Sequence, residues 1–239
     1  PGMTGRVHDS RFDTVIALDG PSGVGKSTVS RLVARRLGFV FVNTGDMYRA
    51  LTWKALEEGV SIRNPKSVVR FLNKKMDWKF HVHEGVLKIR LDGRELGREL
   101  RSERVSLATP IVARIPQVRL CLRALQRQAA MAGRAVLEGR DTTTHVVPKA
   151  GTKIFLDAPV EERAKRRYHQ HLSDGKRVKF ESIKKAVETR DAREINMNIM
   201  PKRRSPGTIV LDTSHLALHE VADQILKLYW RHHRGRRTS

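Results

Sequence analysis

Gly20-Pro21-Ser22-Gly23-Val24-Gly25-Lys26-Ser27 places three glycines, a lysine and two hydroxyls in eight consecutive residues. The spacing is G-x-x-x-x-G-K-[ST] without a gap. Glycines at these positions let the backbone wrap an anion with successive N–H groups pointing inward. A helix starting at the loop's end adds its positive pole. Lys26 can reach β- and γ-phosphates, and the Ser27 hydroxyl can ligate Mg²⁺. The competing reading is a glycine-rich strand–helix turn without a ligand, which leaves the lysine and hydroxyl as coincidences. The motif implies a nucleoside triphosphate and does not name what receives the phosphate.

Two further segments could hold an acceptor. Asn43-Thr44-Gly45-Asp46-Met47-Tyr48-Arg49 combines a hydroxyl, a glycine for close approach, and an arginine one turn into a helix. That set can grip a second phosphate, although Thr-Gly at a helix start also serves as a plain cap. Glu138-Gly139-Arg140-Asp141 closes another apolar run, and its bland alternative is a surface ion pair. Between Glu161 and Arg204 stand 14 Lys or Arg and 7 Asp or Glu. They read either as solvated basic helices or as a lid that brings arginines onto a transferring phosphoryl group and excludes water.

The elements that must position these residues are legible as apolar runs. Thr14–Asp19 and Phe39–Val42 read as buried strands, followed by Ala135–Leu137, Lys153–Asp157 and Thr208–Asp212. Helical stripes separate most of them. Val29, Leu32, Val33 and Leu37 form one, stopped by Gly38. Val118, Cys121, Leu122, Leu125 and Ala129 form a second, and Leu218, Val221, Ala222, Ile225 and Tyr229 a third. Alternating strands and helices predict an α/β fold with a five-stranded parallel sheet flanked by helices. Ligands of such sheets bind beyond the carboxyl ends of the strands, where all three polar segments fall. Between Trp78 and Leu96, period-2 runs broken at Glu84-Gly85 and Asp92-Gly93 predict a small inserted antiparallel meander.

Composition narrows the classes. Apolar residues make up 39% of 239, and 17 glycines accompany them, as in a globular chain. The single cysteine, Cys121, excludes a disulfide framework and a cysteine-rich metal site. One unpaired thiol, with no signal-peptide core and no apolar run near the ~20 residues of a membrane span, leads us to expect a cytoplasmic protein without membrane contact. Net charge is +22, a field that attracts phosphates of any kind. It leaves nonspecific nucleic-acid binding, helped by the tail Arg231–Arg237, as the rival class. An aromatic content of 5% without interleaved aromatic motifs argues against that rival.

Taken in order, the phosphate loop, Thr44-Gly45-x-x-Tyr48-Arg49, Gly139-Arg140-Asp141, Lys153–Ala158 and Glu161-Glu162-Arg163-Ala164-x-Arg166-Arg167 resemble the bacterial cytidylate kinases. Glu99-Leu100-Arg101 and Pro116-Gln117-Val118-Arg119 fit too, and the resemblance runs from Val15 to Tyr229. It implies a P-loop kinase fold and ATP-dependent phosphorylation of CMP or dCMP, with Mg²⁺, by a monomer. It implies a flexible stretch 1–13, a core of 14–60 and 133–230 with a helical lid at about 160–200, a monophosphate-binding domain over 61–132, and a basic tail 231–239. ATP would be held by Gly20 through Thr28 with Arg163 and Arg167, and the metal by Ser27. The acceptor would meet Thr44, Gly45, Tyr48, Arg49, Arg119, Arg140, Asp141, Arg190 and Glu194, with Arg119 and Asp141 facing the pyrimidine. Lys26, Arg140, Arg166 and Arg190 would carry the transfer. Three positions depart from the family pattern. Glu194 stands for the usual Asp. Pro110, beside Thr109, replaces a small hydroxyl residue, and Met197 replaces an arginine. Neither Pro110 nor Met197 can donate a hydrogen bond from its side chain, so weaker discrimination between CMP and UMP is expected.

Overall fold

A computed structural model describes residues 12–131, 134–196, 199–201 and 203–234. Five parallel strands form the centre: β1 (Ile16–Asp19), β2 (Val40–Asn43), and, after the meander strands β3 (Trp78–His83), β4 (Val86–Leu91) and β5 (Arg94–Leu96), β6 (Ala135–Glu138), β7 (Thr152–Asp157) and β8 (Ile209–Asp212). The sheet order is β3-β4-β2-β6-β1-β7-β8, with β5 paired to β4 off this path. Ile16 sits opposite Val136 on one side and Thr152 on the other, so β1 is central.

Period-2 alternation sorts the central side chains onto two faces. Ile16, Leu18, Phe41, Val136, Ile154 and Leu156 face one way. There they meet Val29 and Val33 of α1 (Lys26–Leu37) and Val221 and Ile225 of α8 (Leu218–Arg234). Ala17, Val42, Ala135 and Leu137 face the other way, against Met47 and Leu51 of α2 (Thr44–Glu57) and Val118 and Leu122 of α5 (Pro116–Ala130). Gly38 ends α1 at φ 65, as the residue after a helix often must. The remaining helices are α3 (Pro65–Leu72), α4 (Glu103–Ala113), α6 (Val160–Ser173) and α7 (Phe180–Asn196). Among the described residues no single helix is long and apolar enough to cross a membrane.

Several expectations need correction. The inserted antiparallel meander β3-β4-β5 forms as expected, but it is joined to the main sheet. β4 runs parallel to β2 with Phe41 opposite Val86, and the Phe41 amide donates to the Gly85 carbonyl at 2.8 Å, so the insertion extends the main sheet. β8 is an exposed edge rather than a buried strand, with Ile209 and Val210 both open to solvent. On α5, Cys121 is exposed, and the buried face includes the polar residues Arg119 and Gln126. Those polar residues point at the cleft end of the sheet, where hydrogen-bonding partners are available. Leu218 is also exposed, at the cleft rim. Phe12 is buried, and its carbonyl accepts from the Val15 and Gly151 amides, so 12–13 belong to the core. Residues 1–11 lie outside the described residues. α8 continues to Arg234, so 231–234 is helix, and the rest of the expected tail lies outside the described residues.

Candidate active site

The carboxyl ends of β1, β2 and β6 open into one cleft of about 1590 Å³. Ten lysines and arginines line it against three carboxylates, Glu138, Asp141 and Glu194. A cavity with that imbalance suits a ligand carrying several negative charges.

The phosphate loop forms its floor. Gly20, Gly23 and Gly25 adopt φ of 150, 83 and 94, values that L side chains rarely tolerate. A Cβ on Gly20 would also lie 2.3 Å from the Leu156 carbonyl oxygen. Lys26 is buried, and its ammonium donates to the Gly20 and Pro21 carbonyls at 2.7 Å each. Burial and then the nearby Arg140 push its pKa down to about 7. Ser27 donates to Glu138 Oε1 at 2.5 Å, and Thr28 lies on the cleft wall.

Where β2 turns into α2, the Thr44 hydroxyl donates to the Glu138 carbonyl at 2.8 Å, and Gln126 on α5 donates to the Thr44 carbonyl at 3.1 Å. Gly139 must be a glycine for space. A Cβ there would sit 2.4 Å from Thr44 Oγ1 and 2.3 Å from Thr142 Oγ1. Arg49 donates to the Leu100 carbonyl and the Ser106 hydroxyl at 2.9 and 2.8 Å. Arg101 pairs with Asp46 at 2.7 Å. Tyr48 lines the cleft with its hydroxyl buried and unpartnered, and burial raises its pKa to about 12.

At the end of β6 two ion-pair groups diverge. Arg140 donates to Glu194 at 2.6 and 3.3 Å, and Arg190 reaches the same carboxylate at 3.0 Å. Burial alone would raise the Glu194 carboxyl, but Arg140 and then Arg190 hold it down at about 2. Asp141 instead meets Arg119 at 2.8 Å and Arg123 at 2.7 Å. Behind them, buried Asp19 accepts the Thr142 and Thr143 amides at 2.8 Å each and the Thr143 hydroxyl at 2.6 Å. Burial raises its pKa. Those bonds anchor the turn Thr142–Val146 and so aim Asp141.

The basic helices divide by face. Arg166 and Arg167 line the cleft; Arg166 donates to the Thr213 hydroxyl at 3.0 Å. Arg163 does not line it. Its guanidinium donates to the Ala158 and Ser22 carbonyls at 2.9 Å and to Asp191 at 2.6 Å, bracing the phosphate loop from behind. The expected contact of Arg163 with ATP therefore gives way to a structural one, because all three bonds run into the protein. Arg190 and Arg193 of α7 face the cleft. Thr109 and Pro110 line it as well, but Thr109 donates to the Val105 carbonyl at 2.7 Å. Met197 lies outside the described residues. Sequence reading gave no role to Glu138, Arg123, Gln126, Ser106 or Asp19. Glu138 and Asp19 carried a signal, each as a carboxylate ending an apolar run.

The comparisons agree with this geometry. A cytidylate kinase from Bacillus licheniformis is 37% identical over 213 residues, covering 89% of this chain and 94% of the relative. A bifunctional pantoate ligase/cytidylate kinase from Synechococcus sp. (strain JA-2-3B'a(2-13)) is 41% identical over 220 residues, covering 90% of this chain, which spans only 40% of that longer protein. The solved structure of an uncharacterized protein from Eubacterium ventriosum ATCC 27560 superposes with a TM-score of 0.50 at 12% identity, over 90% of this chain and 97% of that one, a likeness of fold alone. A family model described as Cytidylate kinase matches residues 16–231. With the phosphate loop and the arginine-lined cleft in place, the chain belongs to the cytidylate kinase family.

Proposed function

We propose that this protein transfers the γ-phosphoryl group of ATP to CMP or dCMP. The observation that carries the reading is the convergence of a phosphate loop on β1 with Arg49, Arg140 and Arg190 across a single cleft. One half suits a triphosphate, and the other suits a monophosphate acceptor. The acceptor's phosphate oxygen bonds to the γ-phosphorus as the bridging bond to the β-phosphate breaks, giving CDP and ADP. The acceptor oxygen is already anionic, so no strong base is required, and positioning with charge neutralisation carries the rate.

Lys26 and the loop amides would hold the β- and γ-phosphates. Arg140 and Arg190, with Glu194 orienting both, would flank the transferring group. Thr44, Gly45 and Arg49 would take the acceptor phosphate, and Arg119 and Asp141 the base. Arg166 and Arg167 would close from the donor side, with 160–200 acting as a lid and 61–132 as the acceptor arm.

The oxygens of Ser27 and Glu138 suit Mg²⁺. Glu138 is buried, and among the described residues no lysine or arginine pairs with it. A buried carboxylate held only by a hydroxyl calls for a cation, and Mg²⁺ characteristically takes few protein oxygens beside phosphates and water. When bound there, the metal would neutralise charge developing on the phosphates. ADP release that depends on both ATP and CMP is the expected result of mixing them with the protein. ADP release indifferent to CMP would overturn the reading.

A further inference from the structure

We propose that Arg123 is a positioning residue that fixes the base-facing carboxylate of Asp141 and thereby enforces cytosine over uracil. The proposal rests on the kinase reading and concerns what selects the base.

Three N–H groups converge on one atom. Arg119 Nη2, Arg123 Nε and Arg123 Nη2 donate to Asp141 Oδ2 at 2.8, 3.0 and 2.7 Å. Arg123 thus holds that oxygen in a fork, and three donors leave no lone pair on Oδ2 for a ligand. Among the described residues Oδ1 accepts nothing, and Asp141 lines the cleft. Arg119 lines it too, whereas Arg123 does not, so Arg123 grips the carboxylate from outside the binding space. Positions 119 and 123 lie one turn apart on α5, on the same face.

The cleft therefore meets the base with an acceptor, Asp141 Oδ1, beside a donor, the Arg119 guanidinium. Cytosine presents an N4 amino donor next to the N3 acceptor. Uracil presents the reverse, an O4 acceptor next to an N3–H donor. Held in place, Oδ1 faces the uracil O4 as one acceptor against another. A carboxylate free to turn or slide could instead meet the uracil N3–H, with Arg119 moving to O4. The fork from Arg123 prevents that shift, and Asp19 fixes the same turn from below through the Thr142 and Thr143 amides. Sites that hydrogen-bond a ligand group reject analogues lacking it far more strongly than apolar pockets do. Selectivity lost with the donors absent at Pro110 and Met197 is supplied instead from α5. The proposal thus predicts CMP/UMP discrimination in spite of those two residues.

The test compares wild type with Arg123→Leu, Arg123→Gln and Arg123→Lys. Steady-state kinetics give kcat/KM for CMP and UMP, and equilibrium titration gives Kd for each nucleotide. For Arg123→Leu the CMP/UMP ratio should fall at least about tenfold, equivalent to ~1.4 kcal/mol. The fall should come from KM for the pyrimidine nucleotides, with KM for ATP unchanged. Arg123→Lys should restore part of the ratio, since an ammonium supplies charge without the fork. If Arg123→Leu does not fold, Arg123→Gln, which keeps an uncharged amide donor group without the fork, carries the same comparison. A ratio within about twofold of wild type, or equal losses for CMP, UMP and ATP, would overturn the proposal. Wild type that binds CMP over UMP without transferring phosphate would contradict the kinase reading and leave the Kd comparison to decide the role of Arg123.

Discussion

Lys26 carries a measurable pH signature. In the free protein burial brings its pKa to about 7, so near neutrality its charge is only partly formed. A triphosphate favours the ammonium and raises that pKa, so binding takes up a proton. ATP affinity should therefore weaken as pH rises from about 7, and calorimetry in buffers of different ionisation enthalpy should detect proton uptake. An ATP Kd constant from about pH 6 to about pH 8.5 would contradict this role. Lys26→Ala should lower kcat by a factor on the order of 10²–10³, as loss of one preorganised charge contact does. Glu138→Gln should raise the Mg²⁺ concentration needed for half-maximal rate while leaving the fold intact. An unchanged metal requirement would exclude Glu138 from the metal site.

At the scale of elements, α6 shows what a linear chain conceals. Arg163, Arg166 and Arg167 are the same residue type within one helical turn and a half, and their sequence spacing predicts similar roles. Packing separates them, because Arg163 turns under the phosphate loop onto Ser22 and Asp191 whereas Arg166 and Arg167 face the cleft. Arg163→Ala would strand the Asp191 carboxylate and cost about 3–5 kcal/mol, as breaking a buried pair does. A fall in Tm of about 10 °C should follow for a domain of this size. Arg166→Ala removes bonds to Val24 and Thr213 but strands no carboxylate, so it should cost less stability than Arg163→Ala and raise KM for ATP. Equal stability losses in both variants would erase the distinction. The phosphate loop, Thr44–Arg49 and Arg140-Asp141 were legible beforehand, because each is a local motif whose chemistry follows from neighbouring residues. The roles of Arg123, Gln126 and Asp19 were not, since their partners lie 18, 82 and 123 positions away in the chain. Only the stacking of β6 between β1 and β2 brings them together. The edge position of β8 was hidden for a similar reason. Its apolar run reads like that of β7, and strand order is not written in hydrophobicity.

Across the whole molecule the excess of +22 sets the long-range field. Nucleotide capture through that field should weaken with salt, because charges farther apart than a Debye length of about 8–10 Å are screened at ordinary ionic strength. KM for CMP and for ATP should both rise between low and high salt, with a smaller change in kcat. A salt-independent KM would show that the surplus charge plays no part in capture. On the proposed function, phosphate crosses from a donor half of the cleft to an acceptor half on the same sheet. Label transfer tests that most directly. Incubation with γ-³²P-labelled ATP and CMP should place the label in CDP, at a rate that depends on CMP and falls on the order of 10²–10³-fold in Lys26→Ala. Label appearing in inorganic phosphate regardless of CMP, or in the product of a purine monophosphate in preference to CMP, would contradict it.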